Sequence, residues 1–279
     1  VASALAELAE VCAVAGRGVR LVQAGGGNAS IKSADGRRMW IKASGLRLAD
    51  VHEDAGHVAL DLVGLRASLQ ALAQAALPPA DAALAAGRDL LAAVQGPGAL
   101  RPSLEAGFHA VLGRVVLHTH PIALNAFACL ADGAEQLARC LGRPIPSVPA
   151  CLPGWPLCAA VQAARVGLLP DGAEELLLGN HGWVVAGPDA ALVLARTTVA
   201  AARAEAWFGG LDALDLASRE PPVAAERWAS AARNAVGTSG VSPAIVRAAR
   251  LGALAQSASA AGLDGRPLVP DDVVYGVHR

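Results

Sequence analysis

The 279-residue sequence predicts an α/β layered domain, and three observations carry that prediction. Segments with helical spacing of apolar residues alternate with short extended runs bounded by Gly, Pro, Asn and Asp. Apolar residues make up 54% of the chain against 17% charged, which suits a large packed core and not a disordered chain. Glycines and prolines fall between elements throughout, with no internal repeat and no linker, so one continuous domain over residues 1–279 is expected.

Residues 2–15 have the spacing of an amphipathic helix, ended near Gly16 and Gly18. Arg20–Gln23 reads as a short strand, broken by Gly25-Gly26-Gly27-Asn28. Ala29–Lys32 and Arg38–Lys42 form a hairpin about the turn Ser33–Gly36, and a further strand falls near His57–Leu60. Helical spacing returns at Leu62–Ala75 and, after Pro78-Pro79, at Asp81–Val94. Ser103 is placed to cap a helix that runs to about Leu112. Arg114–His118 is an apolar strand, and Pro121 suits the opening of the next helix. After Pro-rich turns at 144–156 a helix covers Leu157–Val166. Strands at Glu174–Leu178 and Trp183–Ala186 flank Gly179-Asn180-His181-Gly182, and a long helix runs from about Asp189 to Phe208. Residues 221–279 form a C-terminal extension packed on the domain, with helices at 222–235 and 243–250 and a short strand near Val273–Tyr275.

Composition excludes several functions. Lys plus Arg (23) nearly equals Asp plus Glu (24), so the basic footprint of a nucleic-acid binder is missing. No uncharged apolar run approaches the roughly 20 residues that cross a bilayer, and the amphipathic start carries Glu7 and Glu10, unlike a signal peptide. Five cysteines, at 12, 129, 140, 151 and 158, include no CxxC pair and suggest buried thiols in a reducing, cytoplasmic compartment.

The chemistry concentrates in a few stretches. In Val115-Val-Leu-His-Thr-His-Pro121, the imidazoles of His118 and His120 are spaced by one residue on an extended backbone and point to one face. That suits a shared metal ion, with His181 in its tight turn as third ligand and a fourth position for water or substrate. The same spacing also arises with two ordinary histidines and one turn histidine. His52, His57 and His278 sit among polar residues and read as surface side chains. Glu105 falls in the first turn of its expected helix, where an acid is favoured by the helix dipole, and His109 follows on the same face. Gly25-Gly26-Gly27-Asn28 with Ser30, and Lys42-Ala43-Ser44-Gly45, form either anion-binding turns or plain ones. Neither has the GxGxxG or GK[ST] spacing of a nucleotide site.

Together the stretches QAGGGNASIK, MWIKASGLRLADV, RPSLEAGFHA, VVLHTHPIALNA, LLLGNHGWVVAG and LVPDDVVYG resemble the class II aldolase/adducin family, in order and over roughly 250 residues. The likeness is greatest to the aldolase portion of rhamnulose-phosphate aldolase/short-chain dehydrogenase proteins. The resemblance implies a three-layer α/β/α domain around a largely antiparallel sheet. It implies that His118, His120 and His181 bind a divalent metal, zinc first, with manganese, iron, nickel or cobalt as other occupants. It makes Glu105 the catalytic acid/base and His109 a supporting residue, and puts Gly27, Asn28, Ser44, Gly45 and Ser103 in the phosphate-binding turns. Three departures stand out. Fuculose-phosphate aldolases carry two serines before the glutamate, where this chain has Ser103-Leu104, and the histidine of the closing motif is absent beside Asp272. Tyr275 is the only tyrosine, so the tyrosine that closes the site from a neighbouring subunit has no secure counterpart.

The activity so implied is a metal-dependent aldolase, a lyase acting on a small anionic hydroxy-carbonyl substrate such as a sugar phosphate or sugar-acid phosphate. The family also contains decarboxylases and epimerases, and adducin heads that are non-catalytic interaction proteins. A homotetramer is the expected assembly, and the low charge fraction is compatible with large buried interfaces.

Overall fold

The computed structural model describes residues 3–18, 20–96, 100–164 and 167–208. The expected C-terminal helices and strand, the 221–279 extension, Asp272, Tyr275 and His278 lie outside the described residues.

Helix α1 (Ala4–Ala15) starts at Ser3, whose hydroxyl accepts from the Ala6 amide at 3.0 Å. The expected strand at Arg20–Gln23 does not form. There the Leu21 and Val22 amides turn back to the Gly18 carbonyl, while the Arg20 and Leu21 carbonyls accept from Ile122 and His120. The hairpin of β1 (Asn28–Lys32) and β2 (Arg38–Lys42) forms as expected, and β2 pairs with β3 (His57–Asp61). A single 3-10 turn at Leu48–Asp50 lies between them.

Helices α2 (Leu62–Gln74) and α3 (Pro79–Ala92) follow. α3 stops short of the expected Val94 because β4 (Val94–Gln95) pairs there with β3. Helix α4 (Ala106–Val111) is only six residues long, with Glu105 rather than Ser103 at its N-cap. Ser103 Oγ instead accepts from the Glu105 amide just before the helix, at 3.3 Å.

β5 (Val115–Thr119) leads into α5 (Ile122–Ala128), which opens at Pro121. α6 (Gly133–Leu141) and β6 (Ser147–Val148) were not expected from the sequence. Asp132-Gly133 reads locally as a turn, and it is burial of Leu137 and Leu141 that makes the segment worth ordering as a helix. α7 (Trp155–Ala164), β7 (Glu174–Leu178), β8 (Gly182–Gly187) and α8 (Ala190–Trp207) complete the described chain. Asp189 caps α8 by accepting from the Leu192 amide at 2.8 Å.

The eight strands form one sheet in the order β4-β3-β2-β1-β5-β8-β7-β6. Every pairing is antiparallel except β6 with β7. Alternation along the strands divides the core between the two faces. Ala29, Ile31, Val115, Leu117, Trp183 and Val185 face one helical layer, formed by α1, α5, α6 and α8. Met39, Ile41, Val116, Val184 and Ala186 face the other, formed by α2, α3, α4 and α7. The three-layer α/β/α architecture around a largely antiparallel sheet is therefore the one expected. No helix of the described residues is long and apolar enough to cross a membrane.

Candidate active site

His118 stands at the C-terminal half of the central strand β5, paired with Asn28 of β1 on one side and Val184 of β8 on the other. The pleat sends it, with Val116, toward the α4 layer, and His120 follows two residues later on the same side. Their ring centroids are 4.8 Å apart, and the two Nε2 atoms approach to 2.9 Å.

His181 arrives from the β7–β8 turn, and each residue of Gly179-Asn180-His181-Gly182 has a steric reason to be there. Asn180 takes φ +49°, the left-handed region that asparagine tolerates. A Cβ on Gly182 would lie 2.6 Å from the Thr119 carbonyl oxygen and 2.8 Å from ring carbons of both His118 and His120. The bare glycine lets the turn close over the two rings, placing the His181 ring 4.7 Å from that of His118 and 5.5 Å from that of His120. One ring nitrogen from each of the three buried histidines lies within 4.8 Å of the other two.

Glu105 reaches this cluster from the N-cap of α4. Its Oε1 is 2.9 Å from His181 Nε2 and its Oε2 is 3.7 Å from His118 Nε2. Asn28 Nδ2 donates to Oε2 at 2.6 Å and to Ser103 Oγ at 3.3 Å. Burial on its own would raise the Glu105 carboxyl, but the His181 and His118 rings and the two donated hydrogen bonds outweigh it. The group is held as a carboxylate, well below its ordinary range. His118 is pushed well below the ordinary histidine value by burial, against the pull of Glu105, and stays neutral.

The donor set suits a divalent cation. His118 Nδ1 faces the Trp183 carbonyl oxygen at 3.3 Å. A carbonyl only accepts, so the proton of the neutral ring sits on Nδ1 and the Nε2 lone pair faces His120 and Glu105. A backbone carbonyl that fixes the tautomer in this way is a common support for a metal-binding imidazole. Three imidazole nitrogens with a carboxylate alongside match borderline cations such as zinc, and the trio could hold one ion.

The expected anion-binding residues divide. Ser44 is brought beside the α4 entrance by the hydrogen bond its backbone N–H donates to the Arg101 carbonyl oxygen (2.8 Å) and by the Ala43–Pro102 bridge. Asn28 and Ser103 are hydrogen-bonded beside Glu105, and the Ser44-Gly45 turn, where Gly45 has φ +83°, is exposed. Gly27 is buried at φ +72°, and its Cβ position is 2.8 Å from the His118 carbonyl oxygen, so it serves close packing of β1 on β5. Ser30, grouped with the glycine-rich turn in the sequence, is not part of it. It is fully buried beneath α4 with its Oγ 2.8 Å from His109 Nδ1. His109 is likewise fully buried and is pushed down to about 3 by burial, with Glu105 pulling the other way. His52 is exposed, and His57 lies half-buried with Nε2 3.1 Å from the Glu53 carbonyl oxygen, as the surface reading of both expects. Lys32, two residues beyond Ser30, is buried under the same helix and is not among the candidate residues the sequence offers. The polar alternation Asn28-x-Ser30-x-Lys32 between Ala29 and Ile31 was the available signal.

Solved structures show the same fold. The N-terminal class II aldolase domain of a conserved protein from Thermoplasma acidophilum superposes with a TM-score of 0.61 at 24% identity, covering 75% of this chain and 95% of that one. A sugar-phosphate aldolase from Thermotoga maritima gives 0.51 at 19% identity, covering 78% and 97%. YgbL from Klebsiella pneumoniae, for which aldolase, epimerase and decarboxylase are alternative assignments, gives 0.52 at 19% identity, covering 78% and 91%. No curated protein matches the sequence significantly. Residues 6–208, which carry the whole of the site just described, match the Class II Aldolase and Adducin N-terminal domain family, and the chain belongs to it.

Proposed function

We propose that this protein is a divalent-metal-dependent aldolase that cleaves or forms a carbon–carbon bond in a small hydroxy-carbonyl compound. The observation that carries the reading is the buried Glu105 carboxylate, 2.9 Å from His181 Nε2 and beside the histidine trio. His118, His120 and His181 would hold the cation, with zinc first among the candidates for a site of three imidazole nitrogens. Such a cation, when bound, supplies a Lewis acid that stabilises negative charge developing on substrate oxygens. Glu105 delivers a proton to the carbon released in cleavage, or removes it in condensation. Asn28 orients that carboxylate by donating to Oε2. Asn28, Ser103 and the Ser44-Gly45 turn receive the anionic end of the substrate, which favours sugar phosphates and sugar-acid phosphates. Gly27 acts there through backbone packing and His109 as support for α4. The protein works in the cytoplasm as a homotetramer, and all five of its cysteines being unpaired supports a reducing compartment.

The test is a retro-aldol screen of ketose 1-phosphates and related acids, with released products identified, run on the wild type and on Glu105→Gln. Two carbonyl fragments from the wild type, and a loss of about 10²–10⁴-fold in the variant with metal content unchanged, is the expected result. Carbon dioxide or a recovered epimer in place of two fragments would move the assignment to a decarboxylase or epimerase. Absence of both turnover and metal in protein purified without chelator would favour a non-catalytic, adducin-like role.

A further inference from the structure

Asn28, Ser30 and Lys32 alternate along β1, so all three side chains stand on the sheet face beneath α4. They are 5%, 0% and 4% exposed. Each meets a residue four positions beyond the last one met. Asn28 donates to Glu105 (2.6 Å), Ser30 pairs with the His109 ring (2.8 Å), and Lys32 Nζ donates to the carbonyl oxygens of His109 (2.6 Å) and Gly113 (2.5 Å). Two strand residues advance about 6.8 Å and four helical residues about 6 Å, so the two repeats stay nearly in step and the contacts form rungs.

The outermost rung carries the most. The last carbonyls of a helix have no donors within it. Here His109 of the last turn, and Gly113 two residues past the helix end, turn theirs to Lys32, and Arg66 Nε of α2 donates to the Ala110 carbonyl at 2.7 Å. Six residues are too few for a helix to hold its own place, and the bond closing its first turn, His109 N–H to Glu105 O, is long at 3.4 Å. Glu105 also makes no capping bond with its side chain, which is committed to Asn28 and the histidines. Burial, reinforced by Arg66 and opposed by Glu174, brings the Lys32 ammonium down to about 7. Charged or neutral, the amine keeps enough N–H bonds for both carbonyls.

We propose that Lys32 is a positioning residue for Glu105, gripping the far end of α4 so that the carboxylate at its near end stays on the histidine cluster. The inference rests on the reading of Glu105 as the proton-transfer group, but its primary test needs neither metal nor substrate. In the metal-free full chain, a carboxylate oxygen 2.9 Å from His181 Nε2 requires that nitrogen to donate, giving a downfield ring N–H proton in spectra of ¹⁵N-histidine-labelled protein. Glu105→Gln identifies the signal by moving it. Lys32→Met is expected to lose it or move it toward the Glu105→Gln position, and Lys32→Arg to restore it. An unchanged signal in Lys32→Met overturns the proposal. If Lys32→Met does not fold, Lys32→Gln takes its place. Unfolding of both variants also overturns it, since Lys32 would then hold the fold and not the carboxylate. With any substrate found by the retro-aldol screen, Lys32→Met is expected to lower kcat about tenfold or more while KM stays within about threefold. An equal rise in KM with kcat kept would count against it. Should the screen return no substrate at all while the N–H signal responds as described, the aldolase reading fails and the positioning role of Lys32 stands.

Discussion

Lys32 should make the folding stability of this protein rise with pH between 7 and 9, and Lys32→Met should remove that rise. The side chain is 4% exposed, and burial is the main cause that brings its pKa from the ordinary lysine value of 10.5 down to about 7. Between those values the unfolded chain binds a proton that the folded chain has given up, so raising the pH favours the folded state. The contribution is smallest below about 7, where both states are protonated and the full cost of the buried charge is felt. Integrating the two titrations from pH 7 to pH 9 gives about 2 kcal/mol of added stability. The window avoids His109, whose pKa of about 3 makes its own contribution below neutrality. It stops where Cys12 and Cys158, both raised to about 12, begin to act in the opposite direction. The assay is urea unfolding at pH 7, 8 and 9 and constant ionic strength, on the wild type and Lys32→Met. The difference in unfolding free energy between the two proteins should grow by about 2 kcal/mol across the series, equivalent to about 1 M in urea midpoint. Parallel profiles would refute the reasoning, because they would mean that Lys32 ionises as freely in the fold as in water.

Three further outcomes are expected. His120→Ala and His181→Ala should each lose metal stoichiometry after dialysis under conditions that leave the wild type loaded, and full occupancy in either variant would remove that histidine from the site. Gly182→Ala should abolish metal retention and lower the melting temperature together, since its Cβ would fall 2.6 Å from a backbone oxygen and 2.8 Å from carbons of two ligand rings. Retention at the wild-type level would show that the turn can move away from the rings. Chelation should lower the stability of the wild type by about 3 kcal/mol where the free metal had stood at 100 times its Kd, and leave that of His118→Ala nearly unchanged. Calorimetry with and without chelator reads both.

The sequence by itself determined those features whose causes are local. Apolar spacing placed α1, α2, α7 and α8 and the β1–β2 hairpin, because a helix or strand buries one face at a fixed repeat, and Pro121 marked the opening of α5. The one-residue spacing of His118 and His120 put both rings on one side of the chain for the same reason. The glycines and asparagine about His181 announced a tight turn through their backbone freedom alone. Only the tertiary structure decided what these pieces meet. Glu105 and Asn28 are 77 positions apart, as are His109 and Lys32, and no local pattern links them. They come together because β1 lies beside β5 in the sheet and α4 crosses over both. Ser30, grouped by sequence with a glycine turn, went under the helix because the pleat of β1 turned it there. The two-residue strands β4 and β6 are likewise products of neighbours, since their hydrogen-bonding partners exist only after β3 and β7 are in place. Spacing along the chain fixes which way a side chain points, but long-range pairing fixes what stands in front of it.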